Sequence, residues 1–250
     1  MSRSVATRLH IDHPLIGGAE IDLDPAQAHR LRNVLRLGRR DAVAGFNPRD
    51  GEWACEVIEL TRGRGRLRVR EQIRPAQPEP GPWLVFAAIK RAPLDWMVEK
   101  ATELGVAALI PAWTARTQSE RLNPDRLRAT AIAAAEQCGR LSIPDLREAR
   151  TLPELLAEWP GERRLFACDE TGAGGAILDA LGDLAPLAPV AFLVGPEGGF
   201  TDAELDAVGK LSNVTRVGLG PRVLRAETAA IAALAAFQAI SGDWRRRRRR

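Results

Sequence analysis

The chain is poor in cysteine. Its three, Cys55, Cys138 and Cys168, lie far apart and form no C-x-x-C pair. That excludes a disulfide framework and a cysteine-based zinc site, and fits a reducing compartment. Long apolar runs are missing too, and none approaches the ~18 residues that span a bilayer. The longest candidate, Ala229 to Phe237, is alanine-rich, runs on into Gln238 and reads as a buried helix. The opening "MSRSVATRLHIDHP" has no apolar core of signal-peptide length, so the expected location is the cytoplasm. Catalytic signatures are equally scarce. G-x-x-x-x-G-K-[ST], H-E-x-x-H and G-x-S-x-G are all absent, as are spaced metal ligands, so neither a Walker-type triphosphate site nor a metal is expected. "TGAGGA" (171–176) begins like G-x-G-x-x-G but has Ile177 in place of the last glycine, and it reads as the start of a helix. His10, His13 and His29 all fall in the first block, away from the glycine loops, and read as surface or RNA-facing positions rather than bases.

Charge is plentiful but uneven. The net charge is +4, yet residues 245–250 are six consecutive arginines. Without them the 36 basic residues fall to 30 against 32 acidic ones, a balance of −2. The body is nearly neutral, and the tail is expected to be attracted to phosphate.

"RPAQPEPGP" (74–82), with four prolines and a glycine, is the expected boundary between domains at 1–74 and 82–250. Before it, "DAVAGFN", "EWACEVIEL" and "GRLRVREQI" read as strands, and "DPAQAHRLRNVLRL" as a helix with Ala28, Leu31, Val34 and Leu35 on one face. The expected form is a small β-barrel with one helix and a basic rim. Arg8, Arg30, Arg32, Arg36, Arg39 and Arg40 are its candidate phosphate contacts, with Arg62, Arg64, Arg66, Arg68 and Arg70 adding to the surplus, because guanidinium binds phosphate bidentately. After the linker, strands alternate with helices: "WLVFAAI", "AALIPAW", "RRLFACDE", "PVAFLV" and "VTRVGLG" are separated by amphipathic stretches, which predicts an α/β fold with a mainly parallel sheet.

Two of those strands end in glycine loops. "LVGPEGGFTDAEL" (193–205) passes from a buried strand into a helix whose start, Thr201 with Glu204, fits a capping box. "GLGPRVLRAET" follows the next strand in the same way. Ligands of open α/β sheets sit outside the carboxyl ends of strands, so two such loops side by side predict one backbone-lined pocket.

The paired loops closely resemble the C-terminal signature of the SPOUT-class RNA methyltransferases, and more narrowly the enzymes that methylate N3 of a uridine in bacterial 16S ribosomal RNA. "LDWMVEKATELGV", "AAEQCGR" and "AHRLRNVLRLGRRDAVAGFN" are similar to the same family, so the resemblance covers nearly the whole chain. Ala226 departs from it where the family has threonine, but a small side chain is kept. The resemblance implies a PUA-like RNA-binding barrel followed by a trefoil-knotted α/β domain, a homodimer, S-adenosylmethionine as cofactor, and the small ribosomal subunit as partner. It places the cofactor against Leu193, Val194, Gly195, Pro196, Glu197, Gly198 and Gly199 in the first loop. In the second it places it against Leu219, Gly220, Arg222, Val223, Leu224 and Thr228. Arg225 is the candidate for stabilising the uracil anion. Glu227 either orients Arg225, helps remove the proton, or only places a favourable charge on the first helical turn. Two rival readings stay open: a methyltransferase of this class acting on tRNA or another ribosomal base, and a ribosome-binding factor without chemistry.

Overall fold

The computed structural model describes residues 5–117 and 122–244; the arginine tail lies outside the described residues. Contacts divide the chain into two units, Met1–Glu79 with Ala135–Ile143, and Pro80–Ala134 with Pro144–Arg250.

The first unit is a five-stranded sheet built from β1 (Arg8–His10), β2 (Glu20–Leu23), β3 (Ala42–Asn47), β4 (Gly51–Thr61) and β5 (Arg64–Arg74), in the order β1-β3-β4-β5-β2. β1 runs parallel to β3 and all other pairs are antiparallel. β1 and β2 are edge strands, so hydrogen bonding among the described residues leaves the sheet open. The segments β1 and β2 had no sequence reading, because three or four residues cannot display a period. Strand β5 shows why the block is rich in arginine. Leu67 and Val69 point into a core with Leu9, Ile21, Val43 and Val57, while the intervening residues face outward. There Arg66 pairs with Asp22, Arg68 with Glu20 and Arg70 with Glu56, as cross-strand charge pairs. These arginines belong to a structural ladder.

The expected single helix over residues 24–37 is two pieces. Asp24 caps α1 (Pro25–His29) in a capping box with Gln27, and the chain then widens into a π-helical turn at Arg30–Val34. The wider turn shifts the phase of the pattern. Ala28 and Leu31 stay buried, but Val34 is 65% and Leu35 37% exposed, not on the inner face.

Within this unit the segment 135–143 carries Ala135 and Leu141 against Phe46. Arg8 donates to the carbonyls of Ala135, Glu136 and Arg140 and pairs with Glu52 at 2.6 Å; Arg74 reaches the same carboxylate. Glu52 is therefore a buried acid facing two guanidinium groups.

The second unit is an all-parallel sheet of β6 (Trp83–Ala87), β7 (Ala108–Trp113), β8 (Asp145–Leu146), β9 (Arg150–Thr151), β10 (Arg164–Cys168), β11 (Gly175–Ala176), β12 (Val190–Val194) and β13 (Val214–Gly218). Its order is β11-β13-β10-β12-β6-β7-β8, with β9 also pairing β7. The helices are α2 (Arg91–Glu103), α3 (Pro124–Cys138), α4 (Leu152–Ala157), α5 (Ile177–Gly182), α6 (Asp202–Gly209) and α7 (Ala226–Ile240). Every residue of β12 is buried, as a central parallel strand covered on both faces requires. On one face Leu193, Ala191 and Leu165 pack with α4 and α6; on the other Phe166 stacks on Phe192, which meets Phe237 edge to face and so ties α7 to the sheet. Gln238 extends this anchor by donating to the Leu104 carbonyl at the end of α2.

Glu52→Ala leaves Arg8 and Arg74 without their shared carboxylate in a largely desolvated place. It is expected to cost about 3 kcal/mol of stability, measured by denaturant unfolding at neutral pH; an unchanged midpoint and slope would show that the three carbonyls alone hold Arg8.

Candidate active site

Strands β12, β10 and β13 lie side by side with matched register: Ala167 faces Leu193, and Cys168 faces Val217. Their carboxyl ends are therefore level, and the three loops that leave them meet. Between them is a cavity of about 340 Å³, within the range of small-molecule sites.

The first loop, Gly195 to Thr201, is fixed from both ends. Thr201 and Glu204 form the expected capping box, and Glu204 also accepts the Ala115 N–H at 2.8 Å. Arg116, on the segment after β7, donates to the Gly198 carbonyl at 2.7 Å and to Phe200 at 3.3 Å. A side chain is excluded at two places. A Cβ at Gly195 would meet the Phe200 ring at 3.0 Å. Gly199 has φ +68°, and a Cβ there would sit 1.9 Å from a Glu170 carboxylate oxygen.

The second loop runs from Gly218 to Arg225, turning at Gly220 with φ +101°. Its middle is open to solvent, with Val223 77% exposed. Arg225 is the N-cap of α7 and offers no side-chain cap to the first turn of that helix, whose Ala226 and Ala229 line the cavity.

The third loop, Cys168 to Gly172, was not foreseen as part of the pocket. Asp169, 1% exposed, accepts two bonds from Arg216 at 2.6 and 3.0 Å and one from the Thr171 N–H at 2.9 Å. Burial pushes this carboxyl up, but the Thr171 and Arg216 hydrogen bonds outweigh it and hold the acid below the usual aspartate value. It is a brace between β10 and β13, ionised at neutral pH. Burial pushes the Cys168 thiol up to about 12, which keeps it protonated and unreactive. The signal that could have found this loop was present: "CDETG" follows a buried parallel strand, as the other two loops do, but its polar residues were read as a strand end and a helix start.

Of the expected cofactor residues, Val194, Gly195, Pro196, Glu197 and Gly199 line the cavity from the first loop, and Leu219, Gly220, Arg222, Val223 and Leu224 from the second. Arg225 lines it as well. Leu193 is wholly buried in β12, Gly198 turns outward to Arg116, and Thr228 is exposed; these three are not among the lining. Glu227 is also outside it, and no ion pair joins it to Arg225 among the described residues. Among those residues no group of three or more metal-ligating side chains occurs.

The six candidate phosphate contacts of the first unit separate sharply. Arg8 is consumed by Glu52, by three carbonyls and by the face of Phe46, 4.1 Å from its ring centre, so it belongs to the interior. Arg30 pairs with the buried Glu136. Arg40 stands near Glu56. Arg32, Arg36 and Arg39 are exposed and carry no ion pair among the described residues.

Asp169→Asn should destabilise the protein at neutral pH. The wild type's advantage should be full above the usual aspartate pKa and fade as pH falls through the lower folded value. Thermal melts of both proteins from neutral to about pH 3 check this; an advantage that does not vary with pH would show that the charge does not brace the loop.

Residues 78–238 match the RNA methyltransferase domain family. The ribosomal RNA small subunit methyltransferase E of Rickettsia conorii is 32% identical over 91% of this chain and 93% of its own. That of Bacillus subtilis is 30% identical over 84% and 86%. Among solved structures, the ribosomal RNA small subunit methyltransferase E of Neisseria gonorrhoeae, bound to S-adenosyl methionine, superposes with a TM-score of 0.84 at 26% identity, over 95% of this chain and 99% of that one. The aligned relatives span both units, the three loops lie within the matched region, and the chain belongs to the RNA methyltransferase family.

Proposed function

We propose that the protein transfers a methyl group from S-adenosylmethionine to N3 of a uridine in the 16S RNA of the small ribosomal subunit. The observation that carries this is the cavity built from three level strand-end loops, in which five glycines alternate with apolar and acidic side chains along the walls. Such a lining suits a ligand that offers an adenine, a ribose and an amino acid moiety and no phosphate. Leu219, Val223 and Leu224 give apolar surface, and the acids Glu170 and Glu197 suit hydroxyl groups and positive charge. The uncapped first turn of α7 suits a carboxylate.

Bound there, the cofactor supplies an electrophilic methyl group on a positively charged sulfur. The chain's part is to hold an unpaired base in line with it, exclude water, and stabilise the charge left when N3 loses its proton. Arg225 fits the last role: it borders the cavity and has no carboxylate partner among the described residues, so its charge is available to the uracil oxygens. Glu227, outside the lining, complements the first turn of α7.

Family likeness supports the finer architecture in the same reading: a PUA-like first unit contacting RNA, a trefoil knot in the second, a homodimer and a cytoplasmic location. The strand order supports the knot, since β12 is inserted between β10 and β6 and β13 lies beyond β10.

Arg225→Ala is expected to cut single-turnover methylation by roughly 100-fold while leaving cofactor affinity within a few-fold. Arg225→Lys should recover little, because the planar fork is lost. Rates are measured on small subunits from a strain lacking the gene, whose 16S RNA should lack one N3-methyluridine by mass spectrometry. An unaltered modification profile would refute the proposed reaction, and a near-normal Arg225→Ala rate would refute the role of the arginine.

A further inference from the structure

The first unit presents one arginine cluster that its own structure does not use. Four of the five arginines of β5, Arg66, Arg68, Arg70 and Arg74, are spent on Asp22, Glu20, Glu56 and Glu52, Arg8 is internal, and Arg30 pairs with Glu136. Arg32, inside the π-helical turn, and Arg36 and Arg39, just after it, are left.

Between them stand Val34 and Leu35, 65% and 37% exposed. Their exposure is built in. Leu31 is fully buried below them, Leu37 packs on the same core, and the Leu37 N–H closes back on the Leu31 carbonyl at 2.9 Å. Beyond it the Arg40 N–H is fixed to the Val57 carbonyl at 2.7 Å, and Gly38 is pinned by Asp41. Arg36 and Arg40 hold positive φ angles of 56° and 75°, which non-glycine residues rarely adopt. A widened turn, two such residues and two outward aliphatic side chains are all unfavourable for folding, and they are concentrated at one place; strain of that kind gathers where a surface binds something. Arg62 and Arg64, on the β4–β5 turn, are exposed too, but no large apolar side chain is exposed beside them. Among the described residues of the first unit, the combination of free guanidinium groups with a fixed apolar pair is confined to residues 32–39.

We propose that residues 32–39 form an RNA-reading tip, in which Arg32, Arg36 and Arg39 seat on phosphates and Val34 with Leu35 pack against an unstacked nucleobase. The inference rests on the RNA substrate of the proposed function and adds to it the contact that selects a splayed, single-stranded segment over a regular duplex. The charge fits phosphate, and single-stranded loops are where RNA offers base faces to protein. An apolar pair held rigidly beside phosphate-binding arginines reaches such a base with little entropy to lose.

The test uses the full chain and small subunits from a strain lacking the gene. Val34→Ser/Leu35→Ser should weaken subunit binding roughly tenfold, the scale of one lost base contact, without changing the salt slope. Arg32→Ala/Arg36→Gly/Arg39→Ala should weaken binding and flatten the slope by about 2. Arg36→Gly alone should melt no lower than wild type, because glycine accepts the backbone angle. A photoreactive side chain at position 35 should crosslink to 16S RNA. Variants with wild-type affinity, or a crosslink to a ribosomal protein, would overturn the tip while leaving the reaction standing. A wild type that binds neither S-adenosylmethionine nor subunits would remove the function and the tip together.

Discussion

The site depends on the insertion of β12 between β10 and β6. With that order, β13, β10 and β12 become neighbours, all parallel, with their carboxyl ends at one height. Loops distant in sequence then have to share one space. The packed rings of Phe166, Phe192 and Phe237 fix the helix that starts at the cavity to the sheet beneath it. Asp169 and Arg216 fix two of the strands to each other at the cavity floor. Glycine backbone can then form part of the walls, because side chains elsewhere already hold the loops in place. Glycine is favoured at Gly199 and Gly220 by positive φ, and a side chain at Gly195 would crowd Phe200.

Arginine does two different jobs in this molecule, and the surroundings decide which. On β5 it alternates with buried aliphatics and faces carboxylates across the strands, where each exposed pair contributes little alone but the row satisfies the outer face. At residues 32–39, and at Arg222 and Arg225 beside the cavity, no carboxylate answers it among the described residues. Composition cannot separate these uses. Strand pairing can.

Much of the second unit was legible because its strands are continuous apolar runs and its helices have the right period and caps. The Thr201–Glu204 box was read from spacing alone and is present with both of its bonds. The segment 139–162 gives no secondary-structure signal in the sequence, though it holds β8, β9 and α4, whose Thr151–Glu154 box has the same spacing. Short strands and a six-residue helix carry too few periods to register. The π-helical turn was invisible for a different reason: Val34 and Leu35 match a helical face in the letters, and only the i to i+5 bond from the Leu35 N–H to the Arg30 carbonyl turns them outward. The pocket was legible in two of its three loops. The third escaped because strand order, which places β10 between the other two, is set by long-range pairing and leaves no local mark.

The central claim is that backbone at the ends of these three strands binds the methyl donor. Calorimetric titration of S-adenosylmethionine into the metal-free protein and its Gly199→Val variant tests it most directly. One site per chain is predicted for the wild type, and none for the variant, whose new Cβ would be driven into Glu170. Equal affinity in the two folded proteins would place the ligand elsewhere and contradict the account.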